Sequence, residues 1–160
     1  MPADQEQRIS PLTVITPITP GREATVRAVL EDLQNAIDQG LPLPLDEVGT
    51  VHFGRWVMLD EGGQSKLLLV TDYDGSWDVY FDDFIECAWE VLDAIYRNCE
   101  GFPERGARDT EGFKAYVKRH QLKEVAYYRA YRDASVKEIR STLKFSRGAK
   151  QALEGLQELW

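Results

Sequence analysis

Two apolar runs rich in β-branched and aromatic residues, VHFGRWVML (51–59) and KLLLVTDY (66–73), flank the segment DEGGQS (60–65). Runs of this kind around a glycine-containing turn read as the two strands of an antiparallel hairpin. A lone hairpin is marginal in water, so further strands or a helix must cover it. LTVITPI (12–18) supplies one more strand, closed by Pro17 and Pro20. VAYYRAY (125–131) alternates large and small residues and reads as a fourth.

The helices follow from spacing. Val26, Val29, Leu30, Leu33 and Ile37 recur at i, i+3, i+4, i+7 and i+11, one apolar stripe over residues 22–38 that Gly40 closes. Ser76 is placed to cap a second helix over 77–98, carried by Trp77, Tyr80, Phe81, Phe84, Ala88, Val91, Leu92 and Ile95 and either continuous or bent near Glu86. GLPLPLDEVGT (40–50) and EGFPERGARDTEG (100–112) read as loops, and FKAYVKRH (113–120) as a short helix. Ser135 and Glu138 form a capping box that starts a C-terminal helix, with Gly148 a point of interruption and Leu153, Leu156, Leu159 and Trp160 its apolar side. Strand, helix, strand, strand, helix, strand predicts an α+β sandwich, two layers with helices on one face of an antiparallel sheet.

The chain has 160 residues, 43% of them hydrophobic, which suits one domain with additions. The expected organisation is a tail at 1–10, an α+β domain at 11–134 and a helical extension at 135–160. No apolar run reaches the roughly 20 residues of a membrane span, and MPADQEQRIS carries no signal-peptide pattern. Cys87 and Cys99 form no CxxC or Cys/His cluster, and on one continuous helix they would stand about 18 Å apart, too far for a disulfide. The expectation is a cytoplasmic protein. Residues 1–104 hold 6 Lys+Arg against 20 Asp+Glu, and residues 105–150 hold 13 against 5. The net charge of −8 argues against nucleic acid as a partner, whereas the basic stretch suits an anionic ligand or an acidic surface of the same fold or of a second subunit.

Candidate functional residues come from strand alternation. His52 and Trp56 fall on one face of their strand, with Thr71 and Tyr73 placed to lie beside them. Histidine at the rim of an aromatic cavity can act as acid/base or ligand, and a strand histidine is as readily a structural hydrogen-bonding group. Arg55 stands among Val51, Phe53 and Val57, and Asp72 is the candidate partner; the pair reads as an anion clamp or a structural ion pair. Tyr127, Arg129 and Tyr131 line one side of the fourth strand, a surface for a planar or anionic ligand or for a second subunit. P-loop, GxGxxG, HExxH and GxSxG motifs are missing, and two histidines are too few for a multi-histidine metal site.

The element order resembles the ferredoxin-like fold. The strings VHFGRWVMLD, LLLVTDYDGSWDVYFDDF, LDAIYRNCEGFP, FKAYVKRHQ and YYRAY, spread over about residues 12–140, resemble a little-characterised bacterial family of that fold. The resemblance implies a ferredoxin-like βαββαβ sandwich pairing through open sheet faces as a dimeric α/β barrel. The wider superfamily includes antibiotic-biosynthesis-type monooxygenases and haem enzymes such as dye-decolorising peroxidases. YDGSWDV (73–79) echoes the GxxDG motif of those peroxidases without matching it.

Two readings follow. The first is a small-ligand-binding homodimer extending to an oxygenase- or peroxidase-like oxidoreductase, with or without haem, acting on a hydrophobic or aromatic molecule. Its pocket would lie between sheet and helices, with His52 as acid/base or ligand, Trp56 and Tyr73 as walls, and Arg55 or Arg129 as anion anchor. The second is a non-catalytic dimeric module that binds a ligand or partner protein, its C-terminal helix a docking element.

Overall fold

The computed structural model describes residues 9–157. The elements are β1 (Ile9–Pro17), α1 (Glu23–Asp38), α2 (Pro44–Val48), β2 (Val51–Glu61), β3 (Gln64–Asp74), α3 (Trp77–Tyr96), α4 (Thr110–His120), β4 (Gln121–Leu122) and α5 (Val136–Gln157). The sheet order is β2-β3-β1-β4, every neighbouring pair antiparallel. This α+β architecture of four strands and five helices is compatible with a ferredoxin-like arrangement.

The hairpin forms as expected, with a tighter turn. Glu61 pairs with Gln64, so only Gly62 and Gly63 lie between the strands. Their φ values of 60° and 84° are those a two-residue type I′ turn needs, and glycine supplies them without strain. The six-residue turn is therefore corrected to two, and that turn pins the register: Arg55 opposes Val70 and Trp56 opposes Leu69. Register breaks once, at a bulge between Val51 and Phe53 that leaves His52 as the extra residue.

One sheet face is the core. Leu12, Val14 and Thr16 of β1 and Leu67, Leu69 and Tyr73 of β3 are buried there, alternating with half-buried residues. Tyr80, Phe81, Phe84 and Leu92 of α3 and Phe113 and Tyr116 of α4 are buried in the same cluster. Each such side chain contributes about 1.5–3 kcal/mol relative to exposure. Ser76 caps α3 through the amide of Val79, and α3 kinks at Ala88, two residues past the expected bend. Asp109 caps α4, which starts at Thr110 rather than 113.

Three further expectations are corrected. Residues 125–131 are not a strand; pairing with β1 stops after Gln121–Leu122, and the following segment is held by side-chain contacts. Residues 44–48, read as loop, form α2, with Pro44 in its first turn and the Leu43 amide bonded to the Asp46 carboxylate at 3.0 Å. Gly148 does not interrupt α5. Ile9 and Ser10, assigned to the tail, begin β1; Leu159 and Trp160 lie outside the described residues.

Tyr80, Tyr96 and Tyr116 are all buried, and loss of solvation raises each phenol above its ordinary value near 10. The folded state thus holds protons that the unfolded chain releases first. The stability from these phenols is complete below about pH 10 and is lost as pH rises beyond it. Phenolate absorbance followed against pH should show these tyrosines ionising together with unfolding; ionisation of all seven tyrosines in a folded chain would contradict this.

Candidate functional site

The second sheet face carries the candidate site. Phe53, Arg55 and Val57 are exposed on it, and Ile15, Leu68 and Val70 are only half-buried. Across one end runs the segment 123–135. Glu124 accepts a hydrogen bond from Thr13 Oγ1 at 2.9 Å, Tyr127 donates its hydroxyl to Asp72 Oδ1 at 2.8 Å, and Arg129 Nη1 donates to the Ile9 carbonyl at 3.2 Å. These three hooks take the place of a strand ladder. Beneath the segment is a hollow of about 270 Å³, lined by His52, Phe53, Asp72, Tyr127, Tyr128 and Arg129 among others.

The bulge explains why His52 is there. With His52 as an extra residue, Val51 opposes Tyr73 on the core face while Phe53 opposes Asp72 on the open one. The imidazole Nε2 sits 2.7 Å from Asp74 Oδ1, and the side chain is 5% exposed. The other carboxylate oxygen of Asp74 accepts the amide of Val136, the first residue of α5, at 2.8 Å. A carboxylate on one ring nitrogen fixes the tautomer and leaves the other nitrogen as the proton-accepting position.

Tyr127 bridges the hollow. Burial, its hydrogen bond to Asp72 and the charge of Asp72 raise its phenol well above the ordinary value, so it stays a neutral donor. Arg129 stands 5.5 Å over its ring, a cation–π distance. Phe53 and Tyr128 remain largely exposed, leaving an aromatic rim.

Four sequence-predicted residues thus come together: His52, Asp72, Tyr127 and Arg129. Three do not. Arg55 opposes Val70, is exposed, and has no ion pair with Asp72, whose carboxylate is taken by Tyr127. Trp56 points to the helix side, where its Nε1 donates to the Tyr96 hydroxyl at 3.3 Å. Tyr73 is buried, stacked on Tyr80 at 4.0 Å between ring centroids. Around Tyr73 the space between sheet and helices is filled by this aromatic packing; Trp56 also lines a hollow of about 320 Å³ between α1 and β2, with Arg27, Leu30 and Gln34 opposite it, whereas the hollow under residues 123–135 lies on the other face. Asp74, Phe53 and Tyr128 were missed as site residues. The alternation of Asp72 and Asp74 at a strand end was the available signal for the first.

Haem does not fit this hollow. The Nε2 of His52 is engaged by Asp74, and a volume of about 270 Å³ falls just below the range for small-ligand pockets, about 300–1,000 Å³. Among the described residues no group of three His, Cys, Asp or Glu side chains could hold a metal ion, and no helix is long and apolar enough to cross a membrane. The chain matches no family model, no curated protein and no solved structure.

Proposed function

We propose that the chain is a small-ligand-binding protein of the ferredoxin-like, dimeric α/β-barrel kind, taking an aromatic or apolar molecule that carries an anionic group. The observation that carries this reading is the hollow itself, where one cation, Arg129, and the neutral donor Tyr127 meet an aromatic rim beside a buried His52–Asp74 pair. Arg129 would meet the anion, Phe53 and Tyr128 would flank the ring, and His52 would serve as acid/base if the ligand is turned over, as in a cofactor-free oxygenase. A second copy across the open face would cover Phe53 and Val57, which are 67% and 38% exposed.

Anilinonaphthalene sulfonate, an aromatic anion, is a suitable probe. Its fluorescence should report one site per chain, weakened about tenfold or more, roughly 1.4 kcal/mol, by Arg129→Ala. Tyr128→Ala, at a side chain 88% exposed, should weaken it while leaving the fold intact. Arg55→Ala, outside the hollow, should leave binding unchanged. Equal binding by all four proteins would remove the reading. Sedimentation should give a dimer at micromolar concentration, and a monomer there would remove the barrel.

The non-catalytic reading draws on a separate observation, the exposure of α5, which leads to a more specific inference.

A further inference from the structure

Among the described side chains of α5, only those of its first turn are covered. Val136 is buried and Ile139 half-buried, but every residue from Arg140 to Gly155 is exposed. Its start is firmly made: Ser135 Oγ accepts the Glu138 amide at 3.2 Å, the Glu138 carboxylate accepts the Ser135 amide at 2.8 Å, and Asp74 takes the Val136 amide. Beyond that turn, from Arg140 to Gly155, the helix has no packed face. Helices in proteins owe most of their stability to packing, and Gly148 and Gly155 each cost about 1 kcal/mol relative to alanine. Leu143, Phe145 and Leu153 stand 49%, 78% and 63% exposed along it. Such a helix calls for a surface to complete it.

Charge identifies that surface. Lys137, Arg140, Lys144 and Arg147 follow one another at intervals of three, four and three residues, which places them on one helix face. None of the four is ion-paired among the described residues. α3 carries a complement: Val79, which is 58% exposed, half-buried Asp83 and exposed Glu86 follow at intervals of four and three before the kink at Ala88, and Glu90 is exposed just after it. Glu47 of α2 belongs to the same surface, since it acts together with Asp83 and Glu86 on the Cys87 thiol. Among the described residues none of Glu47, Asp83, Glu86 and Glu90 is ion-paired either. Among the described residues, a basic stripe without ion pairs on α5 and a group of acidic residues without ion pairs on α3 and α2 lie on the same polypeptide.

We infer that α5 is an exchange arm: in a homodimer its basic stripe lies along the acidic surface of α3 of the second copy, and Leu143, which flanks that stripe, buries against that copy. An anionic membrane is the lesser candidate, because the body that would have to approach it is itself acidic. The arm does not depend on the ligand reading, and it adds a second contact to any pairing of sheet faces.

The test uses the full chain by sedimentation velocity at micromolar concentration. An arm-reversed variant (Arg140→Glu, Lys144→Glu, Arg147→Glu) and a stripe-reversed variant (Asp83→Lys, Glu86→Lys, Glu90→Lys) should each associate at least tenfold more weakly than the natural chain. Mixed in equal amounts they should form a heterodimer, because both contacts become complementary again. Raising salt should weaken the natural association, as screening requires of charge pairing. Far-ultraviolet circular dichroism confirms that each variant is folded. Unchanged association in the arm-reversed variant, or folded variants that fail to pair when mixed, overturns the arm. So does a monomeric natural chain whose α5 binds phosphatidylglycerol vesicles. Phe53→Asp separates the two interfaces. If it alone abolishes the dimer while arm reversal has no effect, sheet pairing stands and the arm falls. If it has no effect while arm reversal abolishes the dimer, the arm stands and sheet pairing falls.

Discussion

Replacing Phe113 by alanine is expected to cost about 3–5 kcal/mol of folding stability, the upper range for emptying an aromatic site in a core. The side chain is 1% exposed. Its ring centroid lies 6.1 Å from those of Phe81 and Tyr96, 6.0 Å from Phe102 and 6.3 Å from Tyr116. Those neighbours belong to α3, to the loop after it and to α4 itself, so no single movement closes the space left behind. Urea unfolding should show a lower midpoint with an unchanged slope, since the surface exposed on unfolding is almost the same. A loss below about 1 kcal/mol would mean that the cluster collapses around the gap and that the packing of α3 on α4 is not as rigid as its ring contacts indicate.

Elements with strong periodicity and chemically defined ends were legible. The stripe from Val26 to Ile37 lies on a helix at Glu23–Asp38, and the paired runs at 51–59 and 66–73 lie within β2 and β3. The capping groups Ser76 and Ser135 work as their chemistry suggests, each side-chain oxygen accepting an amide three residues on. Non-local competition decided the rest. Tyr127, Tyr128 and Tyr131 give 125–131 a strand-like composition, but β1 is already satisfied along its length by β3 and receives only Gln121–Leu122 on its other edge. The segment then finds its partners through side chains, and its alternation survives only as Tyr127 and Arg129 facing inward.

The site was half legible for a related reason. His52, Asp72, Tyr127 and Arg129 were identifiable as polar or aromatic groups in apolar settings. A period of two assigned His52 to the face of Trp56, however, and one extra residue in a strand reverses every such assignment up to the irregularity. Nothing in VHFGRWVML marks the bulge, because it is set by where β2 leaves the end of β3. The large cavity expected between the layers followed from treating Trp56 and Tyr73 as walls. The structure uses Tyr73 as packing, stacked on Tyr80, while Trp56 is bonded to Tyr96 and also borders the hollow beside α1.

Asp74→Ala should produce the other large effect, about 2–4 kcal/mol, because one carboxylate serves both the buried His52 of β2 and the first residue of α5. Its Oδ1 holds His52 at 2.7 Å and its Oδ2 holds the Val136 amide at 2.8 Å. Removing it leaves a nearly buried imidazole without its partner and strips the first turn of α5 of an acceptor beyond its own capping box. Both losses are of charge-assisted hydrogen bonds, the stronger kind. The consequence goes beyond stability. The hollow is lined by His52, and α5 begins at Val136, so the same substitution should weaken the aromatic anion probe and loosen the arm together. His52→Ala should affect the probe and leave the arm in place, since the bond from Asp74 to Val136 survives. A double-mutant cycle between His52 and Asp74, read by urea unfolding, should give a coupling of about 1 kcal/mol or more, as expected for contacting groups in one network. Additive losses would show instead that the carboxylate supports α5 alone, and that the imidazole is positioned by the bulge without it.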